Sequence, residues 1–562
     1  MMAGQSTSPA YIDPSRGRAR TLRQRLEHTF FATSLYQRLL RGSHPVQIDF
    51  VPRELWPGSA EEADRIFRGD FDFAGRLLSA PNANPWRLAP PSQAWADEIH
   101  SFAWLRHFRA AGGDAATRHV EALIKSWLDD YDNWHPVAWQ PEIIARRLIA
   151  WLTHSPMAIS TRDLVYHSAV MNSMARQARH LSRTVDTARD GLPRLVAAIG
   201  LIYSGFCLPQ GDRRLRKGLS ALAREIDRQI LADGGIASRN PSDQYQALRI
   251  LVALYAALKD AGQDMPPHLL QAIDRVAPMV RFFRMGDGRL ALFNGSFEED
   301  DDAIDTILDL SRVPGQPVSG AVYTGFQRVQ AGNITAIIDA GEPPPADLSI
   351  QAHAGLGSFE VSIGTQRLIT NCGSSEQMDA TDWQSASRTT AAHSTLVLDN
   401  RNSVSILENQ RIGRRPSQVR VTREEADQTI TLDVSHDGYA EILGIEHSRR
   451  LRLRRDGTQL AGVDTLTMIS RTKKKDATTF DVRFHLHPAI DAALSVDGGA
   501  VELQLPNGDI WQLECVLGLM IEESIYLGER GNPRRTRQIV INGTVEEPTT
   551  TIRWLLSRLT HH

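Results

Sequence analysis

One change of pattern constrains the fold of this chain more than any other: the spacing of its apolar residues switches near residue 320. From about 95 to 285, apolar side chains recur every three or four residues, as in TRHVEALIKSWLDDYDNW, which is the period of amphipathic helices. After about 320 the period is two, as in TFDVRFHL, and turns such as DGT and PNGD separate the segments. We therefore expect an all-helical half followed by an antiparallel β half of two packed sheets.

Bulk properties narrow the class of protein. At 562 residues the chain is too long to form a single hydrophobic core, so we expect several domains. Its net charge of −3 argues against a general nucleic-acid binder. Three distant cysteines predict neither a disulfide framework nor a CxxC zinc site. The N-terminal stretch lacks the apolar core of a secretion signal, and no segment has the apolar length of a membrane span. These features predict a cytoplasmic protein.

A second feature is the order of several motifs along the chain. The β half contains HAGLGSFEVSIGTQRLITNCG, RTTAAHSTLVLD and FHLHP, and the helical half contains WQPEIIARRLIAWL and DGGIASRNPSDQYQALRILVAL. In this order they resemble the heparinase II/III family of polysaccharide lyases. The resemblance implies a leader at 1–44, an (α/α) toroid at 45–318 and an antiparallel β-sandwich at 319–562. It also implies a cleft between the two halves that binds an acidic oligosaccharide or polysaccharide and cleaves it at a uronic acid by β-elimination.

Such an elimination needs a donor that neutralises the uronate carboxylate, a base and an acid. Asn240 is the candidate donor, because it precedes Pro241 and a new helix whose positive end favours an anion. The same Asn-Pro-Ser sequence is also an ordinary helix N-cap, so both interpretations stay open. Arg239, next to Asn240, is a candidate for binding the substrate. Tyr245 is a candidate catalytic group, or else a partly buried core tyrosine.

The segment IQAHAG departs from the pattern that the resemblance implies. The family typically reads His-x-His-Ala-Asp there, with the first histidine acting near the substrate, and this chain has Gln351, His353 and Gly355. Gln351 can donate a hydrogen bond but cannot act as an acid or base near neutral pH. We nevertheless place Gln351 in the catalytic region, where we expect Asn240, Gln351 and His393 to converge between the two halves.

The resemblance further implies a structural zinc ion. Its ligands would be His353, His393 and Asn371, where Asn371 occupies the position of a family aspartate. Cys372 is an alternative ligand, and a metal-free, hydrogen-bonded histidine pair is the other interpretation. Each histidine precedes a strand, and the strand between them ends at Asn371. A meander of these three strands would bring His353 and His393 close enough to share a ligand.

The tyrosines of the family are not matched. The position expected for a base carries Phe293 and Asn294, and the region expected for an acid carries Trp383. The remaining candidates for the base are Tyr245, Tyr203, Tyr323 and His393. The candidates for sugar or carboxylate contacts are Arg239, Trp139, Arg146 and Trp383.

The sequence thus leads to two functions. One is a carbon–oxygen lyase acting on a uronic-acid-containing glycan, and the other is a catalytically altered glycan-binding or scaffold protein of the same fold. Hydrolysis is less supported, because no carboxylate pair stands out.

Overall fold

The computed structural model describes residues 22–43, 45–159, 163–376, 381–470, 477–546 and 548–559, so residues 1–21 of the expected leader lie outside the described residues. The helices are α1 (Leu22–Phe31), α2 (Ser34–Leu39), α3 (Ala60–Arg68), α4 (Gln93–Ser101), α5 (Leu105–Ala111), α6 (Gly113–Tyr131), α7 (Pro141–Thr153), α8 (Ser155–Ala158), α9 (Leu164–Thr184), α10 (Leu192–Cys207), α11 (Asp212–Gln229), α12 (Pro241–Asp260), α13 (Pro267–Phe282), α14 (Asp301–Ser311), α15 (Thr381–Ala386) and α16 (Ala440–Leu443).

The strands are β1 (Asp70–Phe73), β2 (Arg76–Ser79), β3 (Gly320–Ala321), β4 (Phe326–Ala331), β5 (Ile334–Asp339), β6 (Phe359–Ile363), β7 (Gln366–Thr370), β8 (Leu396–Leu398), β9 (Val419–Glu425), β10 (Thr429–Tyr439), β11 (Ile445–Arg454), β12 (Gln459–Met468), β13 (Thr479–Leu486), β14 (Asp491–Leu494), β15 (Ala500–Gln504), β16 (Ile510–Cys515), β17 (Met520–Tyr526), β18 (Arg534–Thr544) and β19 (Thr549–Arg558).

The chain forms two compact units. The helical unit comprises residues up to 228 together with 250–271, and the sheet unit comprises 229–249 and 272–562. Helix α12 begins in the sheet unit and ends in the helical unit, so the residues at its first turns belong with the sandwich. No helix in the described ranges is long and apolar enough to cross a membrane.

The helical unit has an aromatic core. Trp95, Trp127, Trp139 and Trp151 are almost fully buried in it. Helices α7 and α10 approach very closely, since a Cβ at Gly200 would lie 2.3 Å from the Cβ of Ala145. Only glycine fits at such a contact, so this residue determines how near the two helices can pack.

The sheet unit contains two large antiparallel sheets. One has the strand order β14-β15-β16-β19-β12-β11-β10-β9, and the other has the order β17-β18-β13-β7-β6-β5-β4-β3, with β8 paired to β13. Inward-facing side chains of both sheets form one apolar core. Trp554 of the first sheet stacks on Phe359 and meets Phe484 edge-on in the second, as expected for packed sheets of a sandwich.

The expected fold class is confirmed, because helices precede antiparallel, sandwich-like sheets. Strand β10 alternates buried and half-buried residues along most of its length, which is the period-two pattern of its sequence. The three-strand meander expected around the histidines is wrong. Strands β6 and β7 do pair, but β8 pairs with β13 instead of continuing the meander.

Candidate functional site

Asn240 lies at the start of α12 and caps that helix with one side of its amide. Its Oδ1 accepts hydrogen bonds from the backbone N–H groups of Ser242 at 2.8 Å and Asp243 at 3.3 Å, so the N-cap interpretation is confirmed. The other side of the amide, Nδ2, makes no hydrogen bond to any residue within the described ranges. Nδ2 is therefore a donor available to a ligand beside the positive end of α12.

Arg239 does not have the substrate-binding position expected from the sequence. Its guanidinium pairs with Asp339 at 2.6 Å and donates to the carbonyl of Thr324 at 2.6 Å, and the residue is 5% exposed. The positive charge of Arg239 lies inside the sheet unit, where it neutralises the buried carboxylate of Asp339. The expectation that Arg239 binds a substrate carboxylate is corrected accordingly.

Asn294 joins the turn before α12 to the segment that carries His353. Its Nδ2 donates to the carbonyl of Arg239 at 3.1 Å, and its Oδ1 accepts from the backbone N–H of His353 at 3.1 Å. Asn294 and Gly295 both have positive φ, 51° and 83°, a conformation that Asn-Gly adopts at low cost. Asn294 is thus a structural bridge between two backbone segments.

Gln351 lies beside Asn240, on the other side of Gly295. A Cβ at Gly295 would lie 3.1 Å from the carbonyl oxygen of Gln351 and 3.7 Å from Nδ2 of Asn240. The Gln351 side chain is exposed and donates to Glu376 at 2.9 Å. We call Asn240, Asn294, Gln351, His353 and His393 the polar cluster; all five belong to the sheet unit.

His353 and His393 are in direct contact. Nδ1 of His353 and Nε2 of His393 lie 3.0 Å apart, and Nδ1 of His393 lies 2.7 Å from the carbonyl oxygen of Thr389. The expectation that the two rings are close enough to share a ligand is confirmed. Burial lowers the pKa of His393 to about 4 and holds that of His353 well below its usual range. Both rings are therefore neutral near pH 7.

The residues expected to complete a zinc site have other partners. Oδ1 of Asn371 accepts from the backbone N–H of Ser394 at 3.0 Å, and Nδ2 donates to the carbonyl of Leu292 at 3.1 Å. The thiol of Cys372 lies 3.5 Å from Nδ1 of His485. Within the described ranges no group of three or more His, Cys, Asp or Glu residues could hold a metal. Two imidazoles do not fit a closed, four-ligand zinc site, and Asn371 is corrected to a buried structural residue.

The remaining expected site residues divide into buried and exposed ones. Trp139 is 1% exposed and donates to the carbonyl of Tyr131 at 2.8 Å, so it is a core residue of the helical unit and offers no face to a sugar. Arg146 is exposed on α7 of the same unit. In the sheet unit, Trp383 is 41% exposed on α15, and its carbonyl accepts from Ser375. For Arg146 and Trp383 a contact with sugar stays a prediction.

The three tyrosines considered as the base differ in their burial and in the unit to which they belong. Tyr203 is buried in the helical unit with its hydroxyl on the carbonyl of Ala253. Tyr245 is 5% exposed on α12, and its catalytic role stays a prediction. Tyr323 is 69% exposed between β3 and β4 of the sheet unit. The hydroxyl of Tyr203 therefore already has a partner outside the polar cluster.

Sequence reasoning missed the buried supports beneath the polar cluster. Glu360 accepts the backbone N–H of Asn371 at 2.8 Å and of Leu292 at 3.1 Å, and burial raises its pKa to about 7. Elsewhere in the sandwich, Arg449 pairs with Asp464 at 2.8 Å and donates to the carbonyl of Ser394, the neighbour of His393. No sequence pattern marks these groups as partners. The Asn294-Gly295 dipeptide, by contrast, was a readable turn signal.

The chain thus has a helical region followed by an antiparallel sandwich, and the sheet unit carries the polar cluster beside α12 and the segments that lead into β6 and β8. Residues 313–555 match the family described as heparinase II/III-like, C-terminal. The sheet half of the chain therefore contains a heparinase II/III-like C-terminal domain, which confirms the resemblance seen in the motifs of that half.

Individual relatives differ in what their names say. The chain is 29% identical to FtsZ-localized protein C of Caulobacter vibrioides, over 95% of this chain and 94% of that protein. It is 22% identical to a heparin-sulfate lyase of Pedobacter heparinus, over 60% of this chain and 56% of the lyase. The crystal structure of heparinase III has the same fold, with a TM-score of 0.72 at 13% identity and coverage of 96% and 90% of the two chains.

Proposed function

We propose that this protein is a glycan-binding scaffold of the heparinase fold that binds an acidic oligosaccharide at the polar cluster without cleaving it. One observation carries the proposal: Gln351 stands where a histidine is expected, and Phe293 and Asn294 stand where a base tyrosine is expected. Gln351 donates to Glu376, and Asn294 bridges two backbone segments. An amide neither takes up nor releases a proton near neutral pH, so these positions support binding and not elimination.

The bound group is a carboxylate. Nδ2 of Asn240 is a donor without a described protein partner, and it lies at the positive end of α12. A carboxylate accepts hydrogen bonds only, which matches a free amide N–H. Asp243 and Glu376 near the cluster carry negative charge, so affinity depends on direct contact with Asn240 more than on the general field of the surface.

The substitution Asn240→Asp tests this contact with little change of shape. The new carboxylate keeps an oxygen that caps α12, so folding is preserved, but it replaces the N–H donor with a repelling charge. We expect at least a tenfold loss of affinity for acidic oligosaccharides in titration calorimetry. Asn333→Asp, in the exposed turn between β4 and β5, is the matched control and should bind like the parent. Equal binding by the two variants would refute the role of Asn240.

The cellular role that we propose is association with FtsZ. Support comes from the similarity to FtsZ-localized protein C, which extends over nearly the whole of both chains. A fluorescent fusion expressed from the native locus should follow the position of FtsZ through the cell cycle. A fusion that stays evenly distributed while FtsZ forms its ring would contradict this role.

A lyase is the second candidate, and a specific observation favours it. The side chain of His353 has one ring nitrogen without a described partner, in the same cluster as the Asn240 donor. A base and a carboxylate-neutralising group are two of the three parts that β-elimination needs. Elimination creates a conjugated double bond, so absorbance is followed over a panel of acidic glycans. An increase that His353→Gln abolishes would replace the scaffold proposal with the lyase.

A further inference from the structure

The hydrogen bonds of the histidine pair determine which ring nitrogens carry protons. The carbonyl oxygen of Thr389 can only accept, so Nδ1 of His393, 2.7 Å away, must carry a hydrogen. In a neutral imidazole the other nitrogen then has a lone pair. Nε2 of His393 is therefore an acceptor, and Nδ1 of His353 at 3.0 Å is the donor to it.

This order leaves one nitrogen of the pair unprotonated and free. Because Nδ1 of His353 carries the hydrogen, Nε2 has a lone pair, and Nε2 makes no hydrogen bond to the residues that the structure describes. The side chain of His353 is buried, with a relative exposure of 7%. Its backbone is held by Asn294, which also holds the residue before Asn240. The lone pair and the Asn240 donor are thus fixed to one another through a single side chain.

A shared metal ion would require a different proton arrangement and further ligands. Metal ligation needs a lone pair on both facing nitrogens, and Nδ1 of His353 would have to release its hydrogen. The neighbours Asn371 and Cys372 have other partners, and Gly355 has no side chain to offer. The hydrogen-bonded pair satisfies both facing nitrogens without any additional group.

We infer that His353 and His393 form a metal-free pair in which His393 sets the tautomer of His353, so that Nε2 of His353 accepts a hydrogen bond from a sugar hydroxyl. His393 is the positioning residue and His353 the ligand-binding one. The identity of the ligand rests on the proposed glycan binding; the tautomer and the lack of metal do not. The site would then bind one sugar through two contacts: Asn240 donates to the carboxylate, and His353 accepts from a hydroxyl.

A second histidine pair in the sandwich provides an internal control. The backbone N–H of Gly438 donates to Nδ1 of His436, whose Nε2 lies 3.2 Å from Nδ1 of His447. Nε2 of His447 lies 2.8 Å from Asp464. The same reasoning places the hydrogen of His447 on Nε2, which is the opposite tautomer to that of His353.

The test is nitrogen NMR of the full-length protein labelled on histidine, combined with elemental analysis. His353→Gln, His393→Gln and His447→Gln assign the signals. We expect His353 to be protonated on Nδ1, His447 on Nε2, and neither to change on adding a chelator; zinc should be far below one ion per chain. A stoichiometric metal ion, or His353 protonated on Nε2, would overturn the inference.

Two further measurements separate the parts of the proposal. In His393→Phe the acceptor is lost, so His353 should become a mixture of tautomers, whereas His447→Gln should leave it unchanged. Adding an acidic oligosaccharide should shift the Nε2 signal of His353. Glycan that binds by calorimetry without moving this signal overturns the acceptor role. If no glycan binds at all, the proposed function fails while the tautomer and metal measurements still decide the state of the pair.

Discussion

Replacing Asn294 with alanine should destabilise the sheet unit, because this side chain satisfies two buried backbone groups. The backbone N–H of His353 and the carbonyl of Arg239 would both lose their partner. Each unsatisfied buried group costs about 1–3 kcal/mol, so we expect a loss of roughly 2–6 kcal/mol in the free energy of unfolding. Alanine also meets strain at the φ of 51° that asparagine tolerates.

The assay is urea unfolding followed by far-ultraviolet circular dichroism. The two units need not unfold together, so the loss of stability is read from the transition that Asn294→Ala shifts. Asn294→Gly removes the same hydrogen bonds without the strain of a Cβ at positive φ, so it should destabilise less than alanine. Amide exchange gives a local measure, because the N–H of His353 should lose its protection in both variants.

Asn333→Ala is the matched control. This asparagine is exposed in the turn between β4 and β5, and its replacement should change stability by no more than about 0.5 kcal/mol. If Asn294→Ala behaves like this control, then Asn294 does not join the two segments, and the shared positioning of Asn240 and His353 is wrong.

Three further predictions concern buried groups. Burial alone would raise the pKa of Asp464, but Arg449 and His447 hold it well below its usual range. Asp464→Asn should therefore lower the free energy of unfolding by roughly 3–5 kcal/mol near pH 7. The difference in stability between this variant and the parent should narrow below about pH 4, where the carboxylate of the unfolded parent takes up a proton. Burial raises the pKa of Glu360 from 4.5 to about 7, so the folded state holds a proton that the unfolded state has released between these pH values. The stability of the parent should therefore fall as the pH rises from about 4.5 to about 7, and that of Glu360→Gln should not, as measured by urea unfolding at several pH values. Trp139→Ala should lower stability by roughly 3–5 kcal/mol in thermal unfolding and leave affinity for acidic oligosaccharides unchanged; a selective loss of affinity would restore a sugar contact.

Much of the site geometry could be predicted from local sequence. Asn240 before Pro241 predicts a helix N-cap, and the cap forms because its partners are the next residues of the same turn. His353 and His393 each precede a strand, and their proximity follows from strand ends meeting at one edge of a sheet, even though β8 pairs with β13 and not in the expected meander.

Local sequence was therefore sufficient to predict the fold class, the helix and strand periods, and the residues that begin elements. Which polar side chains remain available to a ligand depends on contacts between distant parts of the folded chain. Arg239 meets Asp339 a hundred residues later, and Asn371 meets Leu292 and Ser394. Periodicity records whether a position faces the core. It carries no record of which distant group will neutralise a buried charge, because a hydrogen bond depends on positions within a few tenths of an ångström that only the packed chain supplies.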